Sequence, residues 1–152
     1  MGLNKGPFVV ADTVSVEGSP YTMQTEGVVS LPSDGTPIDV LSVDVCVHGS
    51  QVCIDSMIQV AVGMSNFGNT TFSVKYDILR NGDCIATIND EMDYEAVPAD
   101  GRHTNFPSIP VVDENPVSGL NKYVLRCTNQ SPLPFPNVFI GSRSLKASVI
   151  PI

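Results

Sequence analysis

Four cysteines, two histidines and one acidic run are the residues of this 152-residue chain whose types and spacing suggest chemistry. His48 and His103 each stand beside glycine and polar residues. A zinc site needs several Cys or His ligands at short spacing, and neither histidine has such neighbours, so both read as solvated turn or loop residues. The chain contains no GxSxG, no HExxH and no glycine-rich phosphate loop, the local signatures of a nucleophile elbow, a zinc protease and a nucleotide cradle. No local context favours a Ser/His/Asp triad. The run Asn89-Asp90-Glu91-Met92-Asp93-Tyr94-Glu95 offers oxygen ligands for calcium, but without the ligand spacing and central glycine of an EF-hand loop. It reads as a solvated loop. The expectation is a protein that is not an enzyme and that uses no metal or cofactor.

What the cysteines can do depends on the strands that carry them. From Asp39 to His48 the odd positions Leu41, Val43, Val45 and Val47 are apolar, and Ser42, Asp44, Cys46 and His48 alternate with them. From Val52 to Val62 the parity flips: Val52, Ile54, Ile58, Val60 and Val62 share one face, with Cys53, Asp55 and Gln59 opposite. A turn at Gly49-Ser50 would pair these runs as a hairpin, set Val47 opposite Val52, and put both apolar faces on one side. Cys46 then stands directly opposite Cys53 on the outer face, at a separation a disulfide can reach. Cys84 and Cys127 remain as a second pair, although parity puts Cys84 outside and Cys127 inside. Four cysteines allow three connectivities or links between chains, and four reduced thiols are the alternative expected of a cytosolic protein.

The other elements complete an all-β plan. Residues 1–27 form an N-terminal arm rich in Gly, Thr, Ser and Pro, in which Phe8, Val10, Val14 and Val16 lie on one face of extended chain. It reads either as a first edge strand or as an arm that completes a neighbour's sheet. Residues 28–152 form the domain. A short strand at Val28 to Leu31 ends in the turn Pro32-Ser33-Asp34-Gly35-Thr36-Pro37. Phe72, Val74, Tyr76 and Ile78 alternate with polar residues up to Asn81-Gly82, a strong hairpin signal, which sets Ile78 opposite Ile85. Residues 89–121 read as long, Pro-rich loops with one or two short strands near Ile109–Val112. Lys122 to Thr128 and Ser144 to Val149 are further strands, making about eight, the number in a jelly roll. The chain is 42% hydrophobic and only 16% charged, which excludes a disordered tail. The expected core includes Val45, Val60, Val74 and Ile78.

The net charge of −8, with only eight Lys and Arg, argues against a nucleic-acid partner, which needs clustered basic residues. No stretch reaches the roughly 18 apolar residues of a membrane span, and the start MGLNKGPFVVADTV lacks the apolar run of a signal peptide.

The stretches Val40-Leu41-Ser42-Val43-Asp44-Val45-Cys46, Val52-Cys53-Ile54, Phe72 to Gly82 and Ser144 to Ile150 resemble small Cys-bearing β proteins of the endospore surface of Clostridia and Bacilli. Endospore appendage fibre subunits and tumour-necrosis-factor-like exosporium domains are the types they resemble, over roughly residues 38–150. The resemblance implies a structural subunit that polymerises head to tail with itself, at an extracellular or spore surface without a standard signal peptide. A surface anchor protein is a candidate further partner. The N-terminal arm would add a strand to a neighbour's sheet. Some appendage subunits carry cysteines in their N-terminal connector, and this chain has none before Cys46. The alternatives are a phage or virus-like capsid, decoration or tail protein, and a carbohydrate-binding β-sandwich using Tyr21, Tyr76, Tyr94 and Tyr123 in the absence of Trp.

Overall fold

The computed structural model describes residues 8–64, 68–96, 101–132 and 136–150. Ten strands appear in chain order: β1 (Val9–Val14), β2 (Val29–Leu31), β3 (Ile38–Val47), β4 (Gln51–Met64), β5 (Gly68–Arg80), β6 (Asp83–Ala96), β7 (Gly101–Asn105), β8 (Val111–Asp113), β9 (Gly119–Asn129) and β10 (Asn137–Ile150). All pairings are antiparallel. One sheet runs β1-β10-β4-β7, with β2 on β10 and β8 on β4; the other runs β3-β9-β5-β6. Because β1 and β2 share one edge of β10, and β7 and β8 share one edge of β4, ten segments fill eight strand positions. From β3 onward the chain alternates between the sheets, except at the β5–β6 hairpin and within the β7–β8 edge. This is the jelly-roll form of the β-sandwich.

Period-2 alternation places one face of each strand between the sheets. Tyr76, Tyr123, Phe72, Ile54, Ile58, Ile78, Leu125, Ile140 and Leu145 are among the largest fully buried side chains. Val45, Val60, Val74 and Ile78 are buried as the alternation requires.

The pairing of β3 with β4 is different from the expected hairpin. β3 pairs with β9 and β4 with β10, in opposite sheets. Residues 48–50 form a corner between sheets. A corner and a hairpin both keep alternate residues pointing at the core, so the flipped parity is common to the two and selects neither. Cys46 therefore stands opposite Leu120, and Cys53 opposite Ser148 and Val112.

Three further differences follow from local geometry. Asn81 and Gly82 both take positive φ, 49° and 91°, as a tight hairpin turn demands. A bulge after Ile78 sets that residue opposite Ala86 instead of Ile85. The segment read as loops from residue 89 continues β6 to Ala96 and adds β7 and β8. Finally, Val9–Val14 of the expected arm is the edge strand β1 of the domain's own sheet, paired with Arg143–Ser148 of β10. Val10 and Val14 pack against the core, because their spacing matches the inward face of the open β10 edge. A neighbour's sheet is not needed to cover them. Residues 1–7 of the arm lie outside the described residues.

Candidate functional site

The thiols are dispersed. Cys46 is exposed on β3, its Sγ 3.3 Å from Nε2 of His48, whose Nδ1 lies 3.4 Å from the Ser118 hydroxyl. Cys84 is exposed near the β5–β6 turn, 3.2 Å from the Thr87 hydroxyl and 3.6 Å from Asp77 Oδ1. Thr87 donates to the same carboxylate oxygen at 2.6 Å. Cys127 is fully buried on β9, and burial pushes its thiol well above the ordinary range. Cys53 is half-buried on the outer face of the β1-β10-β4 sheet. All four are free thiols. Cys46 and Cys53 project outward from opposite sheets, and stacked sheets are about 10 Å apart, beyond the span of a disulfide. The expected Cys46–Cys53 bridge within one chain is therefore lost with the hairpin that implied it. Cys84 and Cys127 likewise face opposite sides of their sheet.

The acidic run lies on β6, not in a loop. Asn89, Glu91 and Asp93 alternate with Asp90 and Met92, so its oxygens point to both faces of a strand and do not converge on one ion. As the outer strand of its sheet, β6 instead carries charges of the kind that guard an open edge against pairing. Among the described residues no three His, Cys, Asp or Glu side chains cluster as metal ligands. His103 pairs with Val62 in β7 through its backbone. Tyr76 and Tyr123 lie in the core, which removes two of the four candidate sugar platforms. Tyr21 is partly buried against the Thr104 hydroxyl.

Two buried polar groups hold the sandwich together. Asp113 on β8 accepts Tyr123 OH at 2.7 Å and Arg80 Nη1 at 2.6 Å, joining one sheet to the other. Burial, and then the bond to Asp113, push the Tyr123 phenol above its ordinary range. Arg143 is buried at a bulge in β10 and donates to the carbonyls of Val40, Gly27 and Gly141, tying β3 and the β1–β2 connection to β10. Burial lowers its pKa from the ordinary arginine value.

The feature that sequence reading missed is the outer face of the β1-β10-β4-β8 sheet. A solvated sheet face carries polar residues. Here Val9 (55% exposed), Met57 (52%) and Val112 (50%) point outward, with Ile150 also exposed. The part of this sheet near Ala61 and Gly141 is buried, with Pro20 close to Gly141 and Tyr21 on Thr104. The part bearing Val9, Met57 and Val112 is open. Met57, an apolar residue at an outward position of β4 between Asp55 and Gln59, was the available sequence signal. Phe8 is exposed beside this face, while Val16 is half-buried and its amide is bonded to the Ser142 hydroxyl at 2.9 Å.

No protein-family model matches the chain, and no curated protein does. Among solved structures it is similar to the VP2 subviral particle of infectious bursal disease virus, at 14% identity and TM-score 0.42, over 93% of this chain and 32% of that one. The Gt strain of the same virus gives 10% identity and TM-score 0.45, over 97% and 37%. Dimeric latent PorU from Porphyromonas gingivalis gives 11% identity and TM-score 0.43, over 93% and 13%. The chain spans about a third of the length of the viral proteins it matches.

Proposed function

We propose that this chain is a structural subunit, a jelly-roll building block that associates with copies of itself into a coat or shell. One observation carries the reading: Val9, Met57, Val112 and Ile150, four of the exposed large apolar side chains, project from one open sheet face of an otherwise acidic protein. Exposed apolar surface on one face of a domain favours an interaction surface, while a net charge of −8 keeps the free subunit dispersed until it docks. A fibre built by strand donation from the arm fits less well, since β1 already occupies its own sheet. Negative-stain electron microscopy of the purified full chain tests the proposal. Regular particles, sheets or filaments support it. Monodisperse single domains at every concentration overturn it.

A further inference from the structure

The open face is self-complementary, and we infer that it receives a second copy of this chain, back to back, about a two-fold axis running between β10 and β4. This rests on the structural-subunit reading and names the contact it uses.

The inference comes from register. Val9 pairs with Ser148, Ser148 with Cys53, and Cys53 with Val112, so these four form one row across β1, β10, β4 and β8. The next row is Ala11, Lys146 and Asp55. A two-fold axis lying in the interface, parallel to the strands and between β10 and β4, exchanges the two sides of every row. It brings β10 of one copy over β4 of the other, and β1 over β8. Lys146 then meets Asp55 of the second copy, and Asp55 meets its Lys146. Val9 meets Val112 of the second copy, and the reverse. Val9 with Val112 and Lys146 with Asp55 thus match across the axis, as an isologous interface requires, while Met57 lies over Ser144 and Ile150 over Gln51 of the second copy.

Charge also selects the occupant. From the Val9 row to the row of Thr13, Ser144 and Met57, Lys146 and Asp55 are the only charged residues among the described outward positions of β1, β10, β4 and β8, so this face is neutral on a chain carrying −8. Two copies repel through their remaining acidic surface and meet without that penalty here. With strands about 4.8 Å apart and same-face residues about 6.8 Å apart, the outward positions that β1, β10, β4 and β8 supply from Ile150 to Met57 cover roughly 400 Å². The pair would bury about 800 Å² in total, small for a specific interface, which gives a weak contact suited to multiplication in an assembly.

The test uses two single variants, Lys146→Asp and Asp55→Lys, and their mixture, measured by sedimentation velocity. Each variant alone sets like charges together twice and should weaken dimerisation about tenfold or more. Mixed, one chain carries Asp at both positions and the other Lys at both, so every crossing pair is attractive and a heterodimer should form. A contact within one chain gives no such rescue. Both sites are on the outer face, and circular dichroism checks that the fold is kept. If each variant associates as wild type does, or the mixture fails to associate, this interface is wrong and the structural reading stands on other surfaces. If wild type is monomeric throughout, both fall.

Discussion

Asp113 on one sheet accepts the phenol hydroxyl of Tyr123 from the other at 2.7 Å, and the carboxylate is almost fully buried. Its second oxygen accepts Arg80 at 2.6 Å. The two sheets are thus joined by a buried charged group with three donors, Tyr123, Arg80 and the Asn115 amide. Removing it would strand a part-buried guanidinium and a buried phenol. Asp113→Ala should cost about 3–5 kcal/mol in urea unfolding. A loss below about 1 kcal/mol would mean that water replaces the carboxylate at this site.

Tyr76 presents the opposite case. Its hydroxyl is buried and has no partner among the described residues, so it has lost water without gaining a bond there. Tyr76→Phe should leave stability unchanged or raise it by about 1 kcal/mol at neutral pH. A clear loss of stability would show that the hydroxyl is bonded.

The same tyrosines, with the buried Cys127 thiol, set the alkaline limit. Burial raises the phenols of Tyr76 and Tyr123 above the ordinary value of 10.0. A raised folded pKa contributes stability that is complete below the unfolded pKa and is lost as pH rises beyond it. Stability should therefore begin to fall above about pH 9, where Cys127 ionises in the unfolded chain, and fall steeply above about pH 10, less steeply in Tyr76→Phe. Equal slopes for the two proteins in denaturant titrations at pH 9 to 11 would count against burial as the cause.

The thiols should report the sheet arrangement. Cys46, Cys53 and Cys84 should react with a thiol reagent in the folded monomer at low concentration, and Cys127 only on unfolding. Reductant should not alter the melting temperature, since no bridge crosses from Cys46 to Cys53. Peptide mapping that joined those two residues within one chain would return β3 and β4 to a hairpin.

Much of this fold was legible because alternation encodes burial. Val45, Val60, Val74 and Ile78 are inside as their spacing requires, and Asn81-Gly82 turns the chain where its φ tolerance allows. Partners were less legible. Alternation tells which way Val47 and Val52 face, not which strand lies beside them, so a sheet-crossing corner passed for a hairpin. The acidic residues of β6 hid a strand, because an edge tolerates charge that a central strand does not. The arm misled for a related reason: Val10 and Val14 look unpartnered until the edge of β10, at Ala147 and Arg143 near the other end of the chain, is in place. The open face was written only in Met57, one apolar residue on a polar side. Val9 and Val112 acquire meaning only when the register puts them in one row.

The central claim is that this face holds copies together. Sedimentation velocity of wild type against Met57→Lys, with circular dichroism confirming equal folds, addresses it most directly. Wild type should sediment increasingly above its 16.2 kDa monomer as concentration rises, and Met57→Lys should remain monomeric. Equal association of the two proteins, or a wild type that never leaves the monomer, would contradict it.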